Sequence, residues 1–214
     1  MTLALHSYWR AGAPYRVRIG LHLKGLPYDY VPVNLLAGDQ HGAAYKGLNP
    51  QGLTPALVVD GEQVLTQSLA ILEWLEETHP EPALLPRGAA DRAVVRAMAG
   101  IVACDIHPLN NQRVLKQLAA MGVDEAGRNA WAGRWIAAGF EALEPMIARH
   151  GAGFAFGESP TLADCCLIPQ VYSAARFAVD LTPYPAIRAA AERAAAHPAF
   201  AAAHPDRQPD AVTA

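Results

Sequence analysis

The first third of the chain carries short apolar or alternating runs, and the rest carries longer runs at helical spacing. Leu3 to Ser7 is a short apolar run that predicts a strand, while Val17, Ile19, Leu21 and Leu23, followed by Lys24-Gly25, predict a helix closed by a glycine. Between them lies Tyr8-Trp9-Arg10-Ala11-Gly12-Ala13-Pro14-Tyr15-Arg16. Pro14 suits the first helical position, where its missing N–H removes no bond. A strand feeding a helix start, with Arg10 ahead of it and Arg16 in its first turn, has the makings of an anion site. The same pattern also fits a packed corner with solvated arginines.

Tyr28 to Asn34 reads as a second strand, with Pro32 placing it at an edge or a strand end. Residues 36 to 47 are polar and glycine-containing, which predicts a loop with a helical turn. Pro55 to Val59 and Val64 to Thr66 flank Asp60-Gly61, a hairpin signal. Gln67-Ser68 then opens a helix with Leu69, Ile71, Leu72 and Leu75 on its buried face, stopped at Pro80. This order, βαβ then ββα, predicts a small α/β layer with a mixed sheet.

Residues 83 to 90 are short, proline-bearing and unpatterned, as a linker is. Beyond them the strands stop. Asp91 to Ala120 is a helical run that Pro108 is expected to interrupt, and Asp124 to Arg149 is a second run, with Trp131, Trp135, Ile136, Phe140 and Leu143 at helical spacing. Thr161 and Asp164 form a capping-box signature ahead of Cys165 to Val171. A last helix is predicted from Pro185 to Ala196, with the final ten or so residues frayed.

Composition narrows the function classes. A net charge of −3 and the lack of a basic patch with interleaved aromatics argue against nucleic acid. No signal pattern opens the chain and no apolar run approaches the ~18 residues of a membrane span, so a cytoplasmic protein is expected. The three cysteines, Cys104, Cys165 and Cys166, are expected to be reduced and buried, since adjacent cysteines pair with each other only under strain. The eight histidines show no i, i+4 pair and no cysteine at ligand spacing, so no metal site is expected. There is no nucleophile elbow, P-loop or dinucleotide fingerprint.

Particular motifs carry a resemblance over nearly the whole length: Tyr8-Trp9-Arg10, Arg16-Val17-Arg18-Ile19, Leu48-Asn49-Pro50, Thr54-Pro55, Gln67-Ser68-Leu69-Ala70-Ile71, Ile106 to Asn111, Leu162-Ala163-Asp164, and Arg176-Phe177 with Val179 to Pro185. On these the chain resembles the zeta class of the glutathione transferase superfamily, the maleylacetoacetate and maleylpyruvate isomerases. His107 ahead of Pro108, and Asn110-Asn111 followed by Gln112-Arg113, look more like the maleylpyruvate branch. The resemblance implies a thioredoxin-like α/β glutathione-binding domain over residues 1–82, a linker over 83–90, and an all-α substrate domain over 91–214. It also implies a homodimer and glutathione as cofactor.

By the same resemblance, Pro55 matches the superfamily's cis-proline, which lets Thr54 offer its backbone to the cysteinyl part of glutathione. Gln67 and Ser68 would take the γ-glutamyl carboxylate at a helix start. Gln40, His107 and Asn111 match further glutathione contacts, and Ala11 and Gly12 lie where the sulfur is held. Arg10 and Arg176 match substrate-binding arginines, and Arg113 is a third candidate for gripping a dicarboxylate. One departure stands out, because the zeta signature after the arginine is Ser-Ser-Cys, or Ser-Gly-Thr in the maleylpyruvate branch. This chain has Ala11-Gly12-Ala13. The implied activity is glutathione-dependent cis–trans isomerisation of maleylpyruvate or maleylacetoacetate in aromatic-acid catabolism. The alternatives are a protein that binds glutathione or an organic acid without turnover, and a transferase or peroxidase acting on small electrophiles.

Overall fold

The computed structural model describes residues 1–212. Its sheet grows from β1 (Leu3–Ser7), whose alternate side chains Leu3, Leu5 and Ser7 are buried. On one side lies the parallel β2 (Asp29–Pro32), and on the other the antiparallel β3 (Ala56–Val59), followed by β4 (Gln63–Thr66). A parallel step needs a crossover, which α1 (Gly12–Leu23) supplies. Pro32 ends β2 on the outer edge of the sheet, as expected. The β3–β4 hairpin turns at Asp60 and Gly61, at φ 49° and 75°, the backbone that an Asp-Gly pair adopts at low steric cost. His6 pairs with Ala56, and Ala56 with Thr66, so the end of β1, the start of β3 and the end of β4 share one end of the sheet.

Two helices pack closely beside this sheet, because a side chain added at Gly20 of α1 would overlap Leu72 of α3 (Ser68–Thr78). Pro14 is the third residue of α1 and not the first, because the helix already begins at Gly12 behind Ala11. The missing N–H is equally harmless there, since none of the first amides has a helical acceptor. The polar stretch after β2 forms a 3₁₀ turn, Asp39–His41, and α2 (Ala43–Leu48). Lys24 and Glu76 form a buried ion pair at 2.7 Å, and both also bind the following segment, Lys24 through the Pro82 carbonyl and Glu76 through the Leu84 N–H.

The chain divides into two units, one of residues 1–84 with the chain from 197 onward, the other of residues 85–196. The second unit is helical: α4 (Ala89–Gly100), α5 (His107–Asn110), α6 (Gln112–Ala120), α7 (Glu125–His150), α8 (Leu162–Arg176) and α9 (Pro185–Ala195). The break expected at Pro108 falls instead at Asn111, which is extended and caps α6 by accepting the Val114 N–H at 3.0 Å. Pro108 lies inside the run. Its ring crowds the carbonyl four residues back, and the turn ahead of it, Ile101–Ile106, widens to a π-helix. Asp124 caps α7 through the Gly127 N–H, and Ile136, Phe140 and Leu143 are buried along it.

The capping box of α8 forms as expected. The wholly buried Asp164 carboxylate accepts from the N–H and hydroxyl of Thr161 and from the Ala155 N–H, which joins the preceding loop to the helix. Burial pushes its pKa up to about 6, against the pull of these hydrogen bonds. Cys165 and Cys166 are buried in α8, but Cys104 is exposed, contrary to expectation, and none of the three forms a disulfide.

The C-terminal segment departs most from its expected place. Residues beyond Ala196 were assigned to the helical domain and to a frayed end, yet α10 (Pro198–Ala203) packs on α1 of the first unit. After it come a 3₁₀ turn, Pro205–Arg207, and a tail in which Asp210 accepts from the Trp9 N–H and the Tyr30 hydroxyl. Of the end expected to fray, residues 213 and 214 lie outside the described residues. Asp210 ties the tail ahead of them to the buried Trp9 and the half-buried Tyr30 of the N-terminal unit.

Candidate active site

The candidate residues of the first unit start where β1 ends. Ala11 donates its N–H to Tyr8 and accepts from Tyr15, both at 3.1 Å, which closes the turn and starts α1. Ala11 offers no side-chain cap, so the Gly12 and Ala13 N–H groups leave the helix start without a helical acceptor. Beneath the turn lies Arg18, fully buried. Its Nη2 donates to the Trp9 carbonyl at 2.7 Å, Nη1 to Ser7 Oγ at 3.1 Å and the Tyr8 carbonyl at 3.5 Å, and Nε to the Ala203 carbonyl at 3.0 Å. Burial pushes this guanidinium's pKa down from its ordinary value, and an arginine has so much to lose that it stays charged. Arg10 is half-buried, with its guanidinium 5.5 Å over the Trp9 ring.

The shared end of the sheet brings in the next group. The Thr54–Pro55 bond is cis. The loop before it is held by the Leu53 carbonyl, which accepts from Tyr45 Oη and Asn49 Nδ2, each at 2.7 Å. Across the β3–β4 register, Gln67 takes φ 68° and ψ 115°, a backbone region that non-glycine residues occupy rarely and mainly at functional sites. Its side chain donates to Gln51 Oε1 at 2.8 Å. As expected, Gln67-Ser68 opens the helix: Gln67 takes the N-cap position and Ser68 is the first residue inside α3. The buried Ser68 hydroxyl accepts from Arg16 Nη1 at 3.2 Å. A hydroxyl, a buried guanidinium and the first amides of an 11-residue helix therefore meet at one point, which is suited to a carboxylate.

Gln40 completes this side. It is buried, and its Oε1 has no hydrogen-bond partner among the described residues, while Nε2 lies 3.2 Å from His41 Nε2. Leaving such an acceptor unmet costs about 1–3 kcal/mol, so the position is suited to an incoming donor such as a ligand amine or amide. Gln40 packs under the same loop, since a side chain at Gly52 would come within 3.1 Å of its carbonyl oxygen.

The second unit carries the remaining candidates. His107 opens α5 and is partly buried. Asn111 has one side-chain acceptor committed to capping α6, which leaves its amide N–H groups for other use. Arg113 is exposed in the first turn of α6. Arg176 is the exposed last residue of α8, its guanidinium 5.6 Å over the Phe177 ring. Arg10, Ala11, Gly12, Gln40, Thr54, Pro55, Gln67 and Ser68 thus belong to the first unit, and His107, Asn111, Arg113 and Arg176 to the second. Arg18 and Gln51 were not among the expected site residues. An arginine between Val17 and Ile19 is the only hint of the first, and nothing local marks the second.

Among the described residues, no three His, Cys, Asp or Glu side chains are grouped so as to hold a metal, and no helix is long and apolar enough to cross a membrane. The family model described as "Glutathione S-transferase, N-terminal domain" matches residues 14–78. A maleylpyruvate isomerase of Ralstonia sp is 53% identical over 214 residues, covering 98% of this chain and 100% of the relative. The holo structure of a maleylpyruvate isomerase, described as a bacterial zeta-class glutathione S-transferase, superposes with a TM-score of 0.95 at 52% identity, covering 98% of this chain and 100% of that one. The maleylacetoacetate isomerase of Anaeromyxobacter dehalogenans, solved with glutathione in its active site, superposes with a TM-score of 0.90 at 50% identity, covering 99% and 98%. With identity of this order over the full length, the chain belongs to the zeta class of the glutathione S-transferase family, among the maleylpyruvate and maleylacetoacetate isomerases.

Proposed function

We propose that this protein is a glutathione-dependent cis–trans isomerase of maleylpyruvate, with maleylacetoacetate as the close second substrate. The observation that carries the glutathione part is the Arg16–Ser68 contact at the start of α3, beside the cis Thr54–Pro55 bond and the unusual backbone of Gln67. Ser68, Gln67 and the α3 amides would take the γ-glutamyl carboxylate, Gln40 Oε1 would accept from the tripeptide, and the Thr54 backbone would hold its cysteinyl part. His107 and Asn111 are further contacts under this reading. Glutathione, when bound, supplies the sulfur whose reversible addition to the cis double bond leaves a single bond free to rotate. The chain's own residues have two tasks. Arginine forks grip the substrate carboxylates, and positive charge stabilises the electrons pushed onto the neighbouring carbonyl oxygen. Arg10 serves these tasks from the first unit, and Arg176 and Arg113 are the candidates of the second. A homodimer in the cytoplasm belongs to the same reading, and sedimentation tests the dimer.

Ser68→Ala is expected to weaken glutathione binding by about 1 kcal/mol or somewhat more, because a charge-assisted hydrogen bond is lost. Calorimetry with the reduced tripeptide measures this. No binding to the unaltered protein at millimolar glutathione would remove the reading altogether.

The Ala11-Gly12-Ala13 stretch favours one second reading, a glutathione-binding protein without turnover. With no side-chain donor there, the sulfur is left to the Gly12 and Ala13 amides and to nearby arginine charge. Its pKa should then lie higher than with a hydroxyl present, and the isomerisation rate should still climb with pH above neutrality, following the thiolate fraction. Ala11→Ser is expected to lower that pKa and raise the rate at pH 7 up to ~10-fold, the equivalent of one regained bond of about 1.4 kcal/mol. Thiolate absorbance of bound glutathione against pH, run beside the pH–rate profile, measures both. If the unaltered protein binds glutathione but turns over nothing, while Ala11→Ser does, the binding-protein reading takes over.

A further inference from the structure

The C-terminal tail reaches the turn that carries Arg10. Asp210 Oδ2 accepts the Trp9 N–H at 3.1 Å, and its Oδ1 accepts the Tyr30 hydroxyl at 2.6 Å. On the other side of the same residue, the Trp9 carbonyl accepts from Arg18 at 2.7 Å. Trp9 is therefore gripped at both of its peptide groups, one residue before Arg10 and two before the cap of α1.

This grip is built, not incidental. The Tyr30 phenol lies across the sheet on β2, and burial together with its bond to Asp210 pushes its pKa up, so it stays a donor. Gln208, itself buried, anchors the tail by donating Nε2 to the Ala202 and His204 carbonyls at 3.0 and 2.8 Å, and its own carbonyl accepts the Ala211 N–H at 3.0 Å. Pro209, with φ fixed by its ring, separates these two attachments. The helix start it steadies needs outside support, because Ala11 gives no side-chain cap to meet the first amides. A flexible turn would let Arg10 sample many positions, and a misplacement of about 1 Å at a charge-stabilising group can cost 10²-fold in rate.

We propose that Asp210 is a positioning residue for catalysis: by holding the Trp9 peptide through a tail bond spanning 201 residues of sequence, it fixes the direction in which Arg10 is presented. The proposal rests on the reading of Arg10 as a substrate-binding group. Loss of the carboxylate leaves the Trp9 N–H and the Tyr30 hydroxyl without their acceptor. The turn loosens at its outer face while Arg18 still holds its inner one, so the fold survives and the presentation of Arg10 suffers. Asparagine keeps the geometry, since its Oδ1 can accept from Trp9 while its amide donates to the Tyr30 oxygen.

The experiment compares the full-length protein with Asp210→Ala, Asp210→Asn, Arg10→Met and the Asp210→Ala/Arg10→Met double variant. Asp210→Ala is expected to lower kcat/KM for maleylpyruvate about 10-fold, mostly in kcat, and Asp210→Asn is expected to recover most of it. In the Arg10→Met background, Asp210→Ala should cost nothing further, because the group it positions is already gone. Hydrogen exchange should show the Trp9–Ala11 amides of Asp210→Ala exchanging at least 10-fold faster, while β3 and α3 are unchanged. The proposal is overturned if Asp210→Ala leaves both the exchange and kcat/KM as they were, or if it costs the same factor with and without Arg10. If Arg10→Met itself is silent, the reading of Arg10 fails instead, and the exchange of Trp9 alone decides whether the tail holds the turn.

Discussion

Arg10→Met is expected to lower kcat/KM for the maleyl substrate by about 10²-fold or more, roughly 2.7 kcal/mol of transition-state stabilisation. Methionine keeps an unbranched chain to lie against the Trp9 ring, so the packing survives while the bidentate fork is lost. The effect is large because the turn that carries Arg10 is held on several sides, by the Ala11–Tyr8 bond, by Arg18 and by Asp210. A charge fixed in advance needs no reorganisation when electrons move onto the substrate oxygen. Arg176→Met is expected to act on the same scale, and Arg113→Met completes the set. Glutathione affinity should stay within a few-fold in all three, since the γ-glutamyl contacts lie with Ser68 and Gln67. A neutral ester of the substrate should lose about as much as the arginine variants do. Equal turnover of ester and acid by the unaltered enzyme would place these arginines outside the site.

What the sequence made legible had local causes. The Asp60-Gly61 turn, the Thr161–Asp164 box and Pro32 at the sheet edge each depend on a few neighbouring residues, and each is found where it was expected. The two misplaced prolines show how such reasoning goes astray. Pro14 and Pro108 were both read as boundaries, but a proline is tolerated through the first turn, and a π-helical turn absorbs one inside a run. The tail failed for another reason. Gln208-Pro209-Asp210 carries no periodicity, and its partners Trp9 and Tyr30 lie some two hundred residues away. Of the candidate site, the backbone of Gln67 was beyond reach, because positive φ announces itself through glycine and Gln67 is not one. Ser68 was recognised as a binding hydroxyl at a helix start and Arg16 as a possible anion group, but nothing local to either showed that the two side chains meet.

Arg18 is where fold and site depend on a single side chain, and Arg18→Met is expected to destabilise the protein by about 3–5 kcal/mol. Methionine fills much of the same volume, so little of the loss comes from a cavity. It comes from four acceptors, the Ser7 hydroxyl and the Tyr8, Trp9 and Ala203 carbonyls, which lose a charged donor inside the first unit. Summing them at 1–3 kcal/mol each would overstate the cost, because they share one group and the turn relaxes when it leaves. At 2–4 °C per kcal/mol for a chain of this size, the unfolding midpoint should fall on the order of 10 °C. Arg18→Lys separates charge from geometry. One ammonium keeps the charge but cannot reach the Trp9 and Ala203 carbonyls together, so it should recover only part of the loss. Thermal unfolding followed by circular dichroism measures both variants. Since Arg18 joins the Trp9 turn to α10, the loss should also show as faster hydrogen exchange in both places at once. A midpoint within 2–3 °C of the unaltered protein for Arg18→Met would mean that other contacts hold the turn and α10, and that the buried guanidinium is dispensable to both.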